Sequence, residues 1–117
     1  MSASLEKIFT ILNEVLPDRV TYGTNIVVVG TMDVYPFIVY QEISNRSTVV
    51  ADDRTFVRVI TYQITLVTEM KTPTLEDTLE QALRAQGFVY EMTTEYVNED
   101  NSVNRIYEIR QEEIIHE

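Results

Sequence analysis

The sequence predicts an α+β fold: a mainly antiparallel sheet with two helices packed on one face, in the order α-β-β-β-β-α-β-β. Three observations lead there. Two segments, one at the start and one after Thr72, repeat apolar residues at three- and four-residue steps. Between them Ile60, Tyr62, Ile64 and Leu66 alternate with Thr61, Gln63, Thr65 and Val67, the period of a strand with unlike faces. The remaining apolar runs are short and bounded by turn residues. Two helices on one face is the economical way to bury all these apolar surfaces together.

The first helix places Leu5, Ile8, Phe9, Leu12, Val15 and Leu16 on one stripe. Ser4 is its expected cap, Glu6 suits the positive end, and Pro17 stops it because its ring clashes with the preceding turn. Strands are expected over 19–23 and 25–30, with a turn at Gly23-Thr24, then over 36–43 and 55–69. The second helix opens at Pro73 behind the cap Thr72, where the missing N–H of proline costs nothing. Leu75, Leu79, Ala82 and Leu83 form its stripe, Glu76, Asp77 and Glu80 lie toward its start, and Gly87 is the expected stop. Strands over 88–97 and 103–110 close the chain around the polar hairpin Asn98-Glu99-Asp100-Asn101-Ser102. The first of this pair is expected to align Phe88, Tyr90, Met92, Thr94 and Tyr96, the second Val103, Tyr107 and Ile109.

At 117 residues the whole chain, 1–117, reads as a single domain, and its 44% apolar and 24% charged residues are ordinary globular proportions. There is no cysteine, hence no disulfide, thiol nucleophile or thiolate metal site. Glu6, Lys7 and Glu14 interrupt the first sixteen residues, so a secretory pattern is absent, and no stretch is apolar enough to span a membrane. The expected location is the cytoplasm or a particle assembled there.

The net charge of −10 is uneven. Residues 1–73 hold 8 acidic and 6 basic side chains, a balance of −2; residues 74–117 hold 11 and 3, a balance of −8. A basic nucleic-acid footprint is therefore absent. The acidic half reads either as a solvated surface or as a wall that repels DNA and lets it slide past.

A search for chemistry is negative. The lone histidine, His116, sits beside the chain end, away from any rigid partner that would orient it for catalysis. Gly23, Gly30 and Gly87 are too scattered for a phosphate loop. The pairs Asp52-Asp53, Glu99-Asp100 and Glu112-Glu113 fall in a loop, a hairpin tip and a frayed end, where carboxylates are solvated. Asn98–Ser102 faintly mimics a calcium loop but lacks its glycine and its closing glutamate. No catalytic residue, cofactor site or metal site is assigned, and the chain is expected to be no enzyme. Its seven tyrosines suit either an interface or a sheet core.

One segment departs from the pattern. Residues 44–54 read as a long polar connection between strong strands, longer than the usual hairpin loop of about two to five residues. It is either an ordinary mobile loop or an arm that orders against a partner, with Val49 and Val50 as its contact.

The succession Tyr35-Pro36-Phe37-Ile38-Val39-Tyr40, a polar segment with Asp52-Asp53, and the strand Tyr62-Gln63-Ile64-Thr65-Leu66 resembles the tail-completion proteins of long-tailed bacteriophages and prophages. These are also called tail terminator or tail-to-head joining proteins. The N-terminal helix, the Thr72-Pro73-Thr74-Leu75-Glu76 helix start and the closing pair of strands agree with that layout over nearly the whole chain. The resemblance implies a structural virion protein forming a ring, commonly a hexamer, that terminates the tail tube and meets the head connector or stopper. DNA passes through its lumen without specific binding, and the host cytoplasm is where it assembles. Its partners would be copies of itself, the tail tube protein and the connector, with no membrane involved. The loop argument, not a residue match to the family, nominates Arg46, Val49, Val50, Asp52, Asp53 and Arg54 as the contacts: the arginines for acidic residues of a neighbour, the valines for a pocket.

Two other classes compete. A small dimeric α+β barrel would bind or convert a small molecule in a pocket lined by tyrosines and Arg58. A bacterial assembly or regulatory module would share the fold without the phage context.

Overall fold

A computed structural model describes residues 3–23, 35–50 and 55–116. Helix α1 spans Ala3–Val15 and helix α2 spans Pro73–Ala85. Strands β1 (Val20–Tyr22), β2 (Phe37–Val50), β3 (Thr55–Thr68), β4 (Tyr90–Val97) and β5 (Val103–His116) form one sheet in the order β1-β2-β3-β5-β4. β1 runs parallel to β2 and every other neighbouring pair is antiparallel. This is the expected α+β class. The strand expected over 25–30 lies outside the described residues.

Both helices lay their apolar stripes on the same sheet face. Ile8 and Leu12 of α1 and Leu79 and Leu83 of α2 are fully buried against Ile38, Tyr40, Ile64 and Tyr107. The alternation in β3 holds: Ile60, Tyr62, Ile64 and Leu66 all face this core. Burying side chains of this size contributes about 1.5–3 kcal/mol each, so this layer dominates the stability of the molecule.

The helix ends follow local chemistry except at the two expected N-caps. α1 already includes Ala3, so Ser4 is not its cap. Its far end breaks at Pro17, after which the Asp18 N–H bonds the Asn13 side chain at 3.1 Å. α2 begins at Pro73 as expected, yet the Thr72 hydroxyl turns back to the Met70 carbonyl at 2.8 Å instead of capping the helix. At the C-terminus Gly87 takes a φ of 83°. Its N–H bonds the Arg84 carbonyl and the Phe88 N–H bonds the Leu83 carbonyl, each at 3.0 Å. That pair of bonds is the Schellman closure, and Phe88 joins Leu83 in the core as the closure favours.

Two single-residue irregularities redirect side chains. The β2–β3 register shifts between Glu42 and Ser44, leaving Ile43 as the extra residue, 45% exposed. The β4–β5 register shifts between Met92 and Thr94. Tyr90 and Met92 pair with Ile109 and Tyr107 on the helix side, but beyond Thr93 it is Glu95 that faces Arg105. Thr94 and Tyr96 are thereby turned to the opposite face, against the expected alignment from Phe88 to Tyr96. An inserted residue reverses the phase of everything after it.

Candidate interaction surface

The outer strands of the sheet are shorter than the inner three. β1 ends with Tyr22 opposite Tyr40, and β4 begins with Tyr90 opposite Ile109. β2, β3 and β5 run on together over 44–50, 55–60 and 110–116. The buried core reaches only to Ile60 and Ile109; past it Phe56, Val57 and Arg58 are half-buried and Ile114 is 66% exposed. The result is a three-stranded projection. It accounts for the extents of 54 × 27 × 24 Å and a radius of gyration of 16.0 Å, against about 13 Å for a compact domain of this length.

Both faces of the projection carry polar and charged groups. On the face away from the helices, Ile43, Ser44, Arg46, Val59, Glu108 and Arg110 line a surface depression. On the helix side, Arg58 pairs with Glu113 at 3.8 Å across neighbouring strands, each about one-third exposed.

This corrects the reading of 44–54 as a loop. Residues 44–50 belong to β2, with Arg46 exposed and opposite Val59, Val49 opposite Phe56, and Val50 opposite Thr55. Asp52, Asp53 and Arg54 lie outside the described residues. The polar run Ser44-Asn45-Arg46-Ser47 reads as loop because strands usually turn one face to a core. Beyond the helices these residues have no core to face among the described residues, so polar side chains are compatible with a strand. Glu112-Glu113, expected at a frayed end, likewise lies within β5, whose strand continues six residues beyond Arg110 to His116.

Glu99-Asp100 forms the hairpin tip as expected, but Asp100 is engaged. It accepts from the Ser102 N–H at 3.0 Å and from the Tyr35 hydroxyl at 2.8 Å. The Ser102 hydroxyl also donates to it, and that bond leads in holding its carboxyl below the usual carboxylate range. The tyrosines divide between the two expected roles: Tyr40, Tyr62 and Tyr107 pack in the core, while Tyr22 and Tyr96 are exposed. With Tyr62 and Tyr107 in the core and Arg58 tied to Glu113, the pocket imagined for a small-molecule barrel is not assembled from those residues.

Away from the projection, a polar network unseen in the sequence ties α2 to β4 and β5. Glu80 accepts hydrogen bonds from the Tyr107 hydroxyl at 2.7 Å, the Tyr90 hydroxyl at 3.0 Å and Arg105 Nη2 at 3.1 Å. Arg105 also donates through Nε to the Tyr107 oxygen at 2.6 Å and through Nη1 to Glu95 at 3.0 Å. Lys71 donates to Glu76 at 2.8 Å and to Glu95 at 2.6 Å, and Arg84 donates to the Tyr90 oxygen at 2.6 Å. Glu76 reaches 6% exposure because Lys71 and, at 3.6 Å, Arg105 compensate it.

Burial opposes the charge on Glu80, but the bonds from Tyr107, Tyr90 and Arg105 outweigh it and hold the carboxyl below its usual range. The Lys71 bond, against burial, does the same for Glu95. Burial, reinforced by the bond to Glu80, pushes the Tyr107 hydroxyl well above the ordinary phenol value. Among the described residues no buried side-chain polar atom lacks a partner. The network's groups are spent on one another, the arrangement of a structural tie. Among those same residues no group of three or more metal-ligating side chains could hold an ion. No helix there is long and apolar enough to cross a membrane.

No protein-family model matches the chain, and no curated protein matches it. Among solved structures it is similar to a chain from the virion of a native gene transfer agent particle. The two are 10% identical, with a TM-score of 0.44, over 87% of this chain and 84% of the other.

Proposed function

We propose that this chain is a structural virion protein of a long-tailed phage or prophage. In this reading copies of it form a ring, of hexameric order, that ends the tail tube at its head-proximal side and joins it to the head connector. Its work is binding, not catalysis. The observation that carries the reading is the three-stranded projection, which extends past both helices with both faces uncovered among the described residues. Strands held outside the core bury little apolar surface and add little to the domain's own stability, and such exposed strands are suited to contact with other chains.

Two further features support it. The stretches that resemble the tail-completion family, 35–40 and 62–66, lie on or beside the central strands β2 and β3, and the helix start at Thr72 opens α2. The acidic C-terminal half suits a ring through which DNA passes without being held. The predicted contacts Arg46, Val49 and Val50 stand on the projecting part of β2, where a neighbouring ring or subunit would meet them.

Deleting the coding sequence from its phage or prophage tests the proposal. Electron microscopy of the lysate should then show filled heads and unattached tails, with joined particles restored by a plasmid copy. Normal titres of joined particles without the gene would overturn it.

A further inference from the structure

A ring needs an interface between its copies, and the projection carries two strand edges suited to one. Among the described residues β2 is paired on its outer side only by β1, at Ile38, Val39 and Tyr40. β5 is paired on its outer side by β4 only as far as Ile109. Beyond those points the outer edges of 41–50 and 110–116 meet no described strand. About half the backbone N–H and C=O groups of such an edge point outward, a template for a further strand. Lysine and proline are two of the devices that protect an unpaired edge, and neither segment contains either residue. The bulge at Ile43 lies at the root of the projection, and 44–50 then runs in unbroken register with β3.

We propose that the outer edge of β2 past Tyr40 in one copy pairs, in parallel, with the outer edge of β5 past Ile109 in the next, so that the projections join into one sheet around the ring. This inference rests on the ring reading above and names its interface. β2 and β5 are both antiparallel to β3 and therefore run the same way. A rotation about an axis along the strands preserves that direction, and so brings unlike edges together head to tail, the type of contact that closes a ring. A two-fold contact would instead pair like with like.

Charge favours the first arrangement. On the face away from the helices Arg46 of β2 and Glu112 of β5 stand level with each other, both opposite Val59 and both exposed. Within one copy β3 separates them. Between rotated copies Glu112 comes beside Arg46. A like-with-like contact of β5 edges would gather Glu112 and Glu113 from both copies against one another, which is unfavourable.

The native chain has no cysteine, so R46C/E112C introduces a clean reporter. Inside one copy the two positions are two strand spacings apart, about 9.6 Å, beyond the reach of a disulfide. On adjacent strands of neighbouring copies they are about 4.8 Å apart, within reach. Mild oxidation of the full-length protein, purified and in assembled particles, should give a ladder of linked copies ending at the ring number. R46C or E112C alone should stop at the dimer. As a second arm, R46E or E112R should lose the larger species in light scattering, and R46E/E112R should regain them. Rings on a stained grid, with neither ladder nor rescue, would overturn edge pairing while leaving the ring reading intact. Absence of rings together with absence of the chain from purified particles would overturn both.

Discussion

The Tyr107 hydroxyl donates to Glu80 at 2.7 Å while its oxygen accepts from Arg105 Nε at 2.6 Å. One buried phenol thus joins a helix carboxylate to a strand guanidinium. Arg105 and Glu80 also meet directly at 3.1 Å, so the hydroxyl completes a closed set in which each charge is balanced. The body of the protein is clamped here, where α2 lies against β5, and the projection extends from the other end of the same strand.

Removing that hydroxyl should loosen the clamp without emptying the core. Y107F keeps the ring but leaves Arg105 Nε and Glu80 each short of a partner, a loss of about 1–3 kcal/mol for bonds to charged groups. Urea unfolding followed by circular dichroism should report it as a lower midpoint at unchanged slope.

The same network sets an acid limit on stability. Glu80 and Glu95 are held below their usual range in the fold, so the stability they contribute is present above the unfolded value of about 4.3. It is lost as pH falls through their lower folded values. Tyr107 is raised, so its contribution is present below the unfolded value of about 10 and is lost as pH climbs through the folded one. Urea midpoints should hold near neutrality and fall on both flanks. E80Q should flatten the acid flank, and an unchanged acid slope would remove Glu80 from the account.

How far all this could be read from the chain depended on how local each signal is. Pro73, Gly87 and the stripe Leu75, Leu79, Leu83 act within a few residues, so α2 appears where it was expected. The period-two run from Ile60 to Leu66 likewise announces β3. The extra residues at Ile43 and Thr93 leave no mark in composition, because a bulge is decided by the partner strand. The projection is hidden in the sequence for a related reason. Its strands lack a buried side, and the ladder that holds 44–50 is supplied by β3. Nor does spacing reveal Arg105 beside Glu80, which are brought together across 25 residues by the packing of α2 on the sheet.

Gly87 offers a test of local backbone alone. Its φ of 83° suits glycine, and a Cβ placed there would meet nothing within 4 Å. G87A should therefore cost about 1–2 kcal/mol through the left-handed conformation, with no steric contribution. A larger loss in urea unfolding would mean that the Schellman closure and the Phe88 anchor give way with it.

The last prediction separates the projection from the body. Amides of β3 beneath the helices, around Ile64 and Leu66, lie in the buried layer and should exchange only by global opening. Those of 44–50 and 110–116 lie outside the described core, and their outer edges pair with no described strand. In the isolated chain they should exchange through local opening, orders of magnitude faster than the body. In assembled particles the same two segments should become protected together, because an edge pairing covers one strand from each of two copies at once. Protection of 44–50 without 110–116 would point to a partner other than a second copy on β2, and would separate docking to another protein from closure of the ring.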